Sequence, residues 1–191
     1  MRRIVWLAAL AGLVATGLVA SGLARAALPV GQAAPEFTAP ATLGGQEFRF
    51  SLAEALRHGP VVLYFYPAAF TKGCTLEAHA FATAIDRFKA LGASVIGVSA
   101  DGIAKLDKFS VSACQSKFPL VADADRSIMQ AYDSVLASSP SRASRTSYVI
   151  TPDDRVLYTY SSMKPDKHVA NTYAALAAWR AAHPQDAASR P

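Results

Sequence analysis

The chain has 191 residues, 52% of them hydrophobic and 17% charged, with a formal net charge of +5. That length supplies one substantial core, whereas two domains would each fall near the lower size limit. Three of the 19 basic residues, Arg2, Arg3 and Arg25, lie in an N-terminal stretch without acidic residues, leaving 16 basic against 14 acidic side chains beyond it. Such a balance, with no basic stripe interleaved with aromatics, argues against a nucleic-acid partner.

The stretch itself, MRR followed by IVWLAALAGLVATGLVASGLA, joins a positive start to an apolar run and closes on Ala24-Arg25-Ala26, the small-x-small pattern of a cleavage site. Residues 1–26 are read as a signal peptide that delivers the remainder to the periplasm or the exterior. The alternative is an uncleaved anchor in the inner membrane with the domain facing the periplasm, because the run is long enough to span a bilayer. A membrane is a partner only in that case.

Residues 27–180 are read as one domain and 181–191, AAHPQDAASRP, as a flexible tail without period or apolar anchor. An arm, ALPVGQAAPEFTAPATLGGQEFRF, ends in a hairpin turning at Gly44-Gly45. Ser51 and Glu54 form a capping box for the short helix SLAEALRH, closed by Gly59-Pro60. The run VVLYFY is β-branched and aromatic throughout, as expected of a central strand covered on both faces.

After the turn PAAFTKG, a helix carries Leu76, Ala80, Phe81, Ala84, Ile85 and Phe88 at helical spacing and stops at Gly92. ASVIGVSA is a second central strand. Asp101 reads as the cap of a helix with Ile103, Leu106 and Phe109 on one face. FPLVAD is a short strand, DRSIMQAYD a helix, and SYVITPDDRVLYTY a hairpin looping at Pro152-Asp153-Asp154. A last helix runs from about His168 to Arg180. The order predicts an α/β domain of three layers around a central mixed sheet, with parallel crossovers early and a hairpin late, the layout of a thioredoxin-like fold.

Cys74 is the feature with chemistry attached. It falls where a buried strand ends and a helix begins, so first-turn amides point toward the sulfur and the strand end leaves it reachable. Thiolate is the competent nucleophile, and free cysteine is only a few per cent ionised near neutrality. Thr71 is placed to cap the same helix or to offer its hydroxyl to the sulfur. Pro67, lacking an amide hydrogen, ends the strand and roofs the thiol. Each alone is an ordinary cap or terminator; their fixed offsets from one cysteine make a site.

The segment PAAFTKGC resembles the P-x-x-x-T-x-x-C signature of peroxiredoxins, and YFYPAAFTKGCTLEA most resembles the bacterioferritin comigratory protein or peroxiredoxin Q branch. The likeness runs from about Gly31 to Trp179. It implies a peroxidase for hydrogen peroxide and organic hydroperoxides, with Cys74 as peroxidatic cysteine, Thr71 orienting the peroxide, Pro67 shielding the sulfenic acid, and Arg145 matching the arginine that stabilises thiolate and leaving oxygen. Without the resemblance, Arg145 is only a solvent-facing residue at a strand start. Glu77 matches a further family position near that arginine, and Phe70, where relatives carry a polar residue, implies a more apolar pocket. No cofactor is implied; the reductant would be a thioredoxin-like protein or a small thiol.

The departure concerns recycling. Many members of the branch carry a resolving cysteine five residues after the first, and His79 stands there here. Others carry it in the next helix, where Cys114 lies, so an intramolecular disulfide between Cys74 and Cys114 is the leading expectation. A one-cysteine cycle with Cys114 as buried filler, and a permanent structural disulfide, are the alternatives. Rival functions on the same fold are a thiol-disulfide oxidoreductase, which would present C-x-x-C at the helix start, and a binding protein with an inert thiol. The widely spaced His58, His79, His168 and His183 give no metal-ligand interval, and no glycine-rich phosphate loop follows either central strand.

Overall fold

The computed structural model describes residues 27–184; the leader and most of the proposed tail lie outside them. Five residues of the central strand β3 (Val61–Phe65) are all buried, and their alternation divides the core in two. Val62 and Tyr64 join one cluster, Val61, Leu63 and Phe65 the other. A strand apolar on both faces needs helices on both, and the chain supplies them.

Beneath one face lie α2 (Lys72–Ala90), α3 (Ile103–Ser112) and α5 (His168–Ala182), through Phe81, Phe109 and Leu176 among others. Beneath the other lie α1 (Leu52–Arg57) and α4 (Ser127–Ala131), through Leu52, Leu56, Ile128 and Met129. Phe81 stacks on Tyr64 with ring centroids 4.4 Å apart. Truncating so enclosed a ring to alanine costs about 3–5 kcal/mol.

The sheet is completed by β1 (Thr38–Leu43), β2 (Gln46–Ser51), β4 (Ser94–Ser99), β5 (Leu120–Ala122), β6 (Thr146–Ile150) and β7 (Val156–Ser161). It has seven strands in the order β2-β1-β5-β4-β3-β6-β7. The β3–β4 and β4–β5 pairs are parallel and the rest antiparallel, as the mixed sheet of the sequence reading requires. Gly44 and Gly45, with φ of 58° and 80°, form the two-residue hairpin turn that only such residues make cheaply. What the sequence did not locate is the docking of that hairpin on β5 through Ala41 opposite Val121.

Three local expectations change. Ser51 accepts from the Glu54 amide at 3.3 Å, but the Glu54 carboxylate turns forward to Arg57 and His58, so the capping box is half made. On α2, Leu76 is 56% exposed and Ala80 faces solvent, while Cys74, Glu77, Ala78, Phe81 and Ile85 form the buried stripe. The helix is turned by burial of Glu77, a residue that hydrophobic periodicity scores as surface. The final helix runs two residues past the expected boundary, to Ala182.

Candidate active site

The register of one strand pair assembles the site. Because β6 runs antiparallel to β3 with Thr146 opposite Phe65, the residue entering β6 lies beside the chain leaving β3. The residue entering β6 is Arg145; the chain leaving β3 turns through Pro67 into α2 and Cys74. Two positions 71 apart in sequence meet, and the Arg145 guanidinium donates through Nη2 to Cys74 Sγ at 3.4 Å.

Arg145 is buried, which corrects its reading as a solvent-facing residue at a strand start. It is held on three sides: Nη1 donates to Glu77 Oε2, Nε donates to the Met163 carbonyl at 3.1 Å, and Nη2 reaches the sulfur. Burial pulls its pKa down, but the Glu77 carboxylate and the Cys74 sulfur outweigh this and hold it above the usual arginine value. It stays a cation. Glu77 is fully buried, and desolvation pushes its carboxyl up to about 8 against the opposing pull of Arg145. Behind it lies His168, at the start of α5, with Nδ1 3.5 Å from Glu77 Oε1.

Cys74 is 1% exposed, correcting the expectation that the strand end leaves it open. The sulfur turns inward to its guanidinium rather than outward along the turn. Thr71 is the N-cap of α2 by backbone, φ −75° and ψ 148°, but its hydroxyl donates to the Ala68 carbonyl at 3.0 Å and does not cap. Pro67 is half-buried, directly after the last paired residue, whose amide Tyr66 N reaches Val98 O at 3.1 Å. Phe70 carries a φ of 68°, a left-handed conformation that is strained for an aromatic residue, and its half-exposed ring packs edge-on to Phe109 of α3 at 5.1 Å.

Cys114 and Cys74 are both free thiols within one apolar cluster that also contains Tyr64 and Tyr66. Cys114 is wholly buried, and burial pushes its thiol far above the ordinary cysteine range. The two residues that follow it, Gln115 and Ser116, both have positive φ, 53° and 54°. His79 is exposed on α2, and its Nε2 accepts from the Gln115 side-chain amide at 3.1 Å. His79, five residues after Cys74, thus ties α2 to the residue that follows Cys114.

Three supporting residues escaped the sequence reading. Gly73 leaves room for the guanidinium: a Cβ there would lie 3.1 Å from Arg145 Nη2. Its signal was a glycine in a first helical turn, a position that gains nothing from backbone freedom. Asp101 does not cap α3, which starts after Gly102. Its Oδ2 instead accepts from the Ala69 amide at 2.6 Å and the Ser99 hydroxyl at 3.0 Å, while Oδ1 pairs with Lys105 at 2.6 Å, so it pins the turn before Cys74. His168 was weighed only as a metal ligand, and nothing in its spacing marks it as a neighbour of Glu77.

The AhpC/TSA family pattern matches residues 30–159. The chain belongs to the AhpC/TSA family. Peroxiredoxin Q, chloroplastic, of Oryza sativa subsp. japonica is 34% identical to this family member over 143 residues, covering 74% of the chain and 64% of the relative. The chain thus spans less than two thirds of the rice protein's length. A putative peroxiredoxin of Mycobacterium tuberculosis is 33% identical over 148 residues, covering 75% of the chain and 91% of the relative. Among solved structures, peroxidoxin BcpB of M. tuberculosis superposes with a TM-score of 0.71 at 33% identity, covering 78% of this chain and 96% of that one. Xanthomonas campestris peroxiredoxin Q gives 0.64 at 29% identity, over 73% and 89%. The similarity therefore runs to the branch that the YFYPAAFTKGCTLEA segment resembles, on a thioredoxin-like fold.

Proposed function

We propose that this family member is a thiol-dependent peroxidase acting on hydrogen peroxide and organic hydroperoxides. The observation that carries the reading is the buried hydrogen bond from the Arg145 guanidinium to Cys74 Sγ, a fixed cation against a sulfur at a helix N-terminus. The Cys74 thiolate attacks the terminal oxygen of ROOH, the O–O bond breaks, and Cys74 sulfenic acid and an alkoxide form; the alkoxide takes a proton to leave as alcohol, or as water when R is hydrogen. Arg145 Nη2 faces the charge that passes from sulfur to departing oxygen. Thr71 turns its hydroxyl from Ala68 O to the peroxide, and Pro67 limits water at the sulfenic acid. The buried sulfur requires the first turn of α2 to yield slightly as substrate enters.

In the second step the Cys114 thiolate attacks the Cys74 sulfenic sulfur, forming a disulfide and releasing hydroxide, which is protonated to water. A thioredoxin-like dithiol or two small thiols then reduce the disulfide. Cys114 must leave its apolar surroundings to ionise, and the consecutive left-handed residues Gln115 and Ser116, each costing about 1–2 kcal/mol, favour unwinding there. The complete burial of Cys114 also favours a second reading, in which an external thiol attacks the sulfenic acid directly.

Mass spectrometry of the protein before peroxide, after one equivalent and after a thiol reductant separates these. A peroxide-induced, reducible Cys74–Cys114 link is expected. Lasting Cys74 sulfenic acid with Cys114 reduced refutes the two-cysteine cycle, and a Cys74 no faster to oxidise than a free model thiol refutes the peroxidase. The leader reading adds a location outside the cytoplasm, tested by fractionation and by whether the mature chain begins at Ala27.

A further inference from the structure

The hydrogen-bond partners of His168 fix where its protons stand. Its Nε2 lies 2.9 Å from the Ser162 carbonyl oxygen, which only accepts, so Nε2 carries hydrogen. Its Nδ1 lies 2.8 Å from Ser147 Oγ and 3.5 Å from Glu77 Oε1. All three side chains are buried, and Glu77 Oε1 has no hydrogen-bond partner among the described residues. With a neutral imidazole, whose Nδ1 accepts from the Ser147 hydroxyl, and an ionised Glu77, a buried carboxylate oxygen would be left beside a nitrogen that carries no hydrogen and without any donor, an arrangement that burial penalises. One additional proton removes it, either on Nδ1, giving imidazolium against carboxylate, or on Oε1.

We propose that Glu77 and His168 hold a single proton between them, that this proton keeps the Arg145 charge directed at the Cys74 sulfur, and that His168 is therefore a positioning residue of the site. Were Glu77 ionised without it, its full negative charge would compete with the sulfur for the same guanidinium. Burial drives both groups toward neutrality, Glu77 upward and His168 downward, consistent with one proton serving both. The charged and titratable groups facing the pair are few. Arg145 ahead of β6 and the phenol of Tyr64 on β3 face Glu77, and Cys74, on the same helix, meets the same guanidinium. Arg145 and Asp166, in the loop before α5, act on His168 in opposite directions, and the Tyr160 ring of β7 meets its imidazole edge-on at 4.8 Å. Tyr64, its phenol pushed far up by desolvation, stays neutral.

The inference rests on the peroxidase reading only for what the proton is for, so its test uses no peroxide. In reduced wild-type protein carrying labelled histidine and glutamate, the ring nitrogens of His168 and the carboxyl carbon of Glu77 are followed by NMR from pH 5 to 9. One proton across Nδ1 and the carboxyl at pH 7 is expected; none, or one on each, overturns the proposal. In parallel, the alkylation rate of Cys74 is read across the same range by site-resolved mass spectrometry. It should fall about three- to tenfold as the shared proton leaves, beyond the change a free thiol shows, and His168→Gln, whose amide can donate to Oε1 without an added proton, should abolish that step. A wild-type rate indifferent to loss of the proton overturns the link to Cys74, even if the variant fails to fold.

Discussion

Gly73→Ala separates the site's demand from the helix's. An alanine Cβ at that position lies 3.1 Å from Arg145 Nη2, closer than such contacts normally stand, so the guanidinium must retreat by a few tenths of an ångström. It has little freedom, since Nη1 is held by Glu77 and Nε by Met163 O. The bond free to lengthen is the 3.4 Å one to Cys74 Sγ. A hydrogen bond to a charged group contributes about 1.5–3 kcal/mol. Losing roughly half of that from the attacking state, ~1 kcal/mol, lowers the rate of peroxide reduction about fivefold. The helix itself gains up to ~1 kcal/mol from alanine, somewhat less in a first turn. Stopped-flow peroxide consumption and urea unfolding should therefore diverge, the variant being slower and no less stable. A rate within twofold of the parent would show that the guanidinium is not confined as described, and equal losses of rate and stability would reduce the effect to general disruption.

Gly97→Ala tests the seam of the sheet instead: its Cβ would lie 2.7 Å from Leu120 Cδ2 and 2.9 Å from Tyr64 Cζ, so a loss of about 1–3 kcal/mol in urea unfolding is expected, and an unchanged midpoint would contradict the close approach of Tyr64 to β4. Asp123, buried by desolvation to a pKa of about 6 although it accepts the Ile128 and Met129 amides at 3.0 and 2.8 Å, titrates above its unfolded value, so its contribution to stability is greatest in acid and falls as pH rises through about 6. The stability of wild type relative to Asp123→Asn should therefore decrease between pH 4 and pH 7, and a constant or increasing difference would refute the burial argument.

The strand and helix order was legible because β3 is apolar on both faces and α2 and α3 are amphipathic. Cys74, Thr71 and Pro67 were legible because they lie within one turn of one another. Arg145 was not, without a resemblance: what makes it part of the site is the Phe65–Thr146 register, a long-range pairing that local pattern does not encode. Asp101 misled for a related reason. An aspartate two residues before a helical pattern looks like a cap, and its use in pinning the Ala69 amide depends on two loops meeting at the same sheet edge. Glu77 shows the limit of periodicity, since a buried carboxylate is visible only once its buried arginine is known.

The placement of the anchors suggests which part of the site must move and which must not. Cys74 sits in the first turn of α2, whereas Glu77, which holds Arg145 and faces His168, sits in the turn after it. Unwinding only the first turn would free the sulfur while leaving the guanidinium, its carboxylate and the imidazole in register. At the other end, the segment of Cys114 keeps backbone bonds to Phe109 and Ser110, and it is tied to the segment of Cys74 by the His79–Gln115 hydrogen bond at the surface and by the half-exposed Phe70 ring on buried Phe109. Of the two, the Phe70 contact lies ahead of the first turn of α2, whereas His79 sits beyond Glu77 and keeps its hold on Gln115 when that turn unwinds. In the proposed two-cysteine cycle, opening at Cys74 and opening at Cys114 would then draw on separate local contacts, while Arg145 keeps its hold on Glu77.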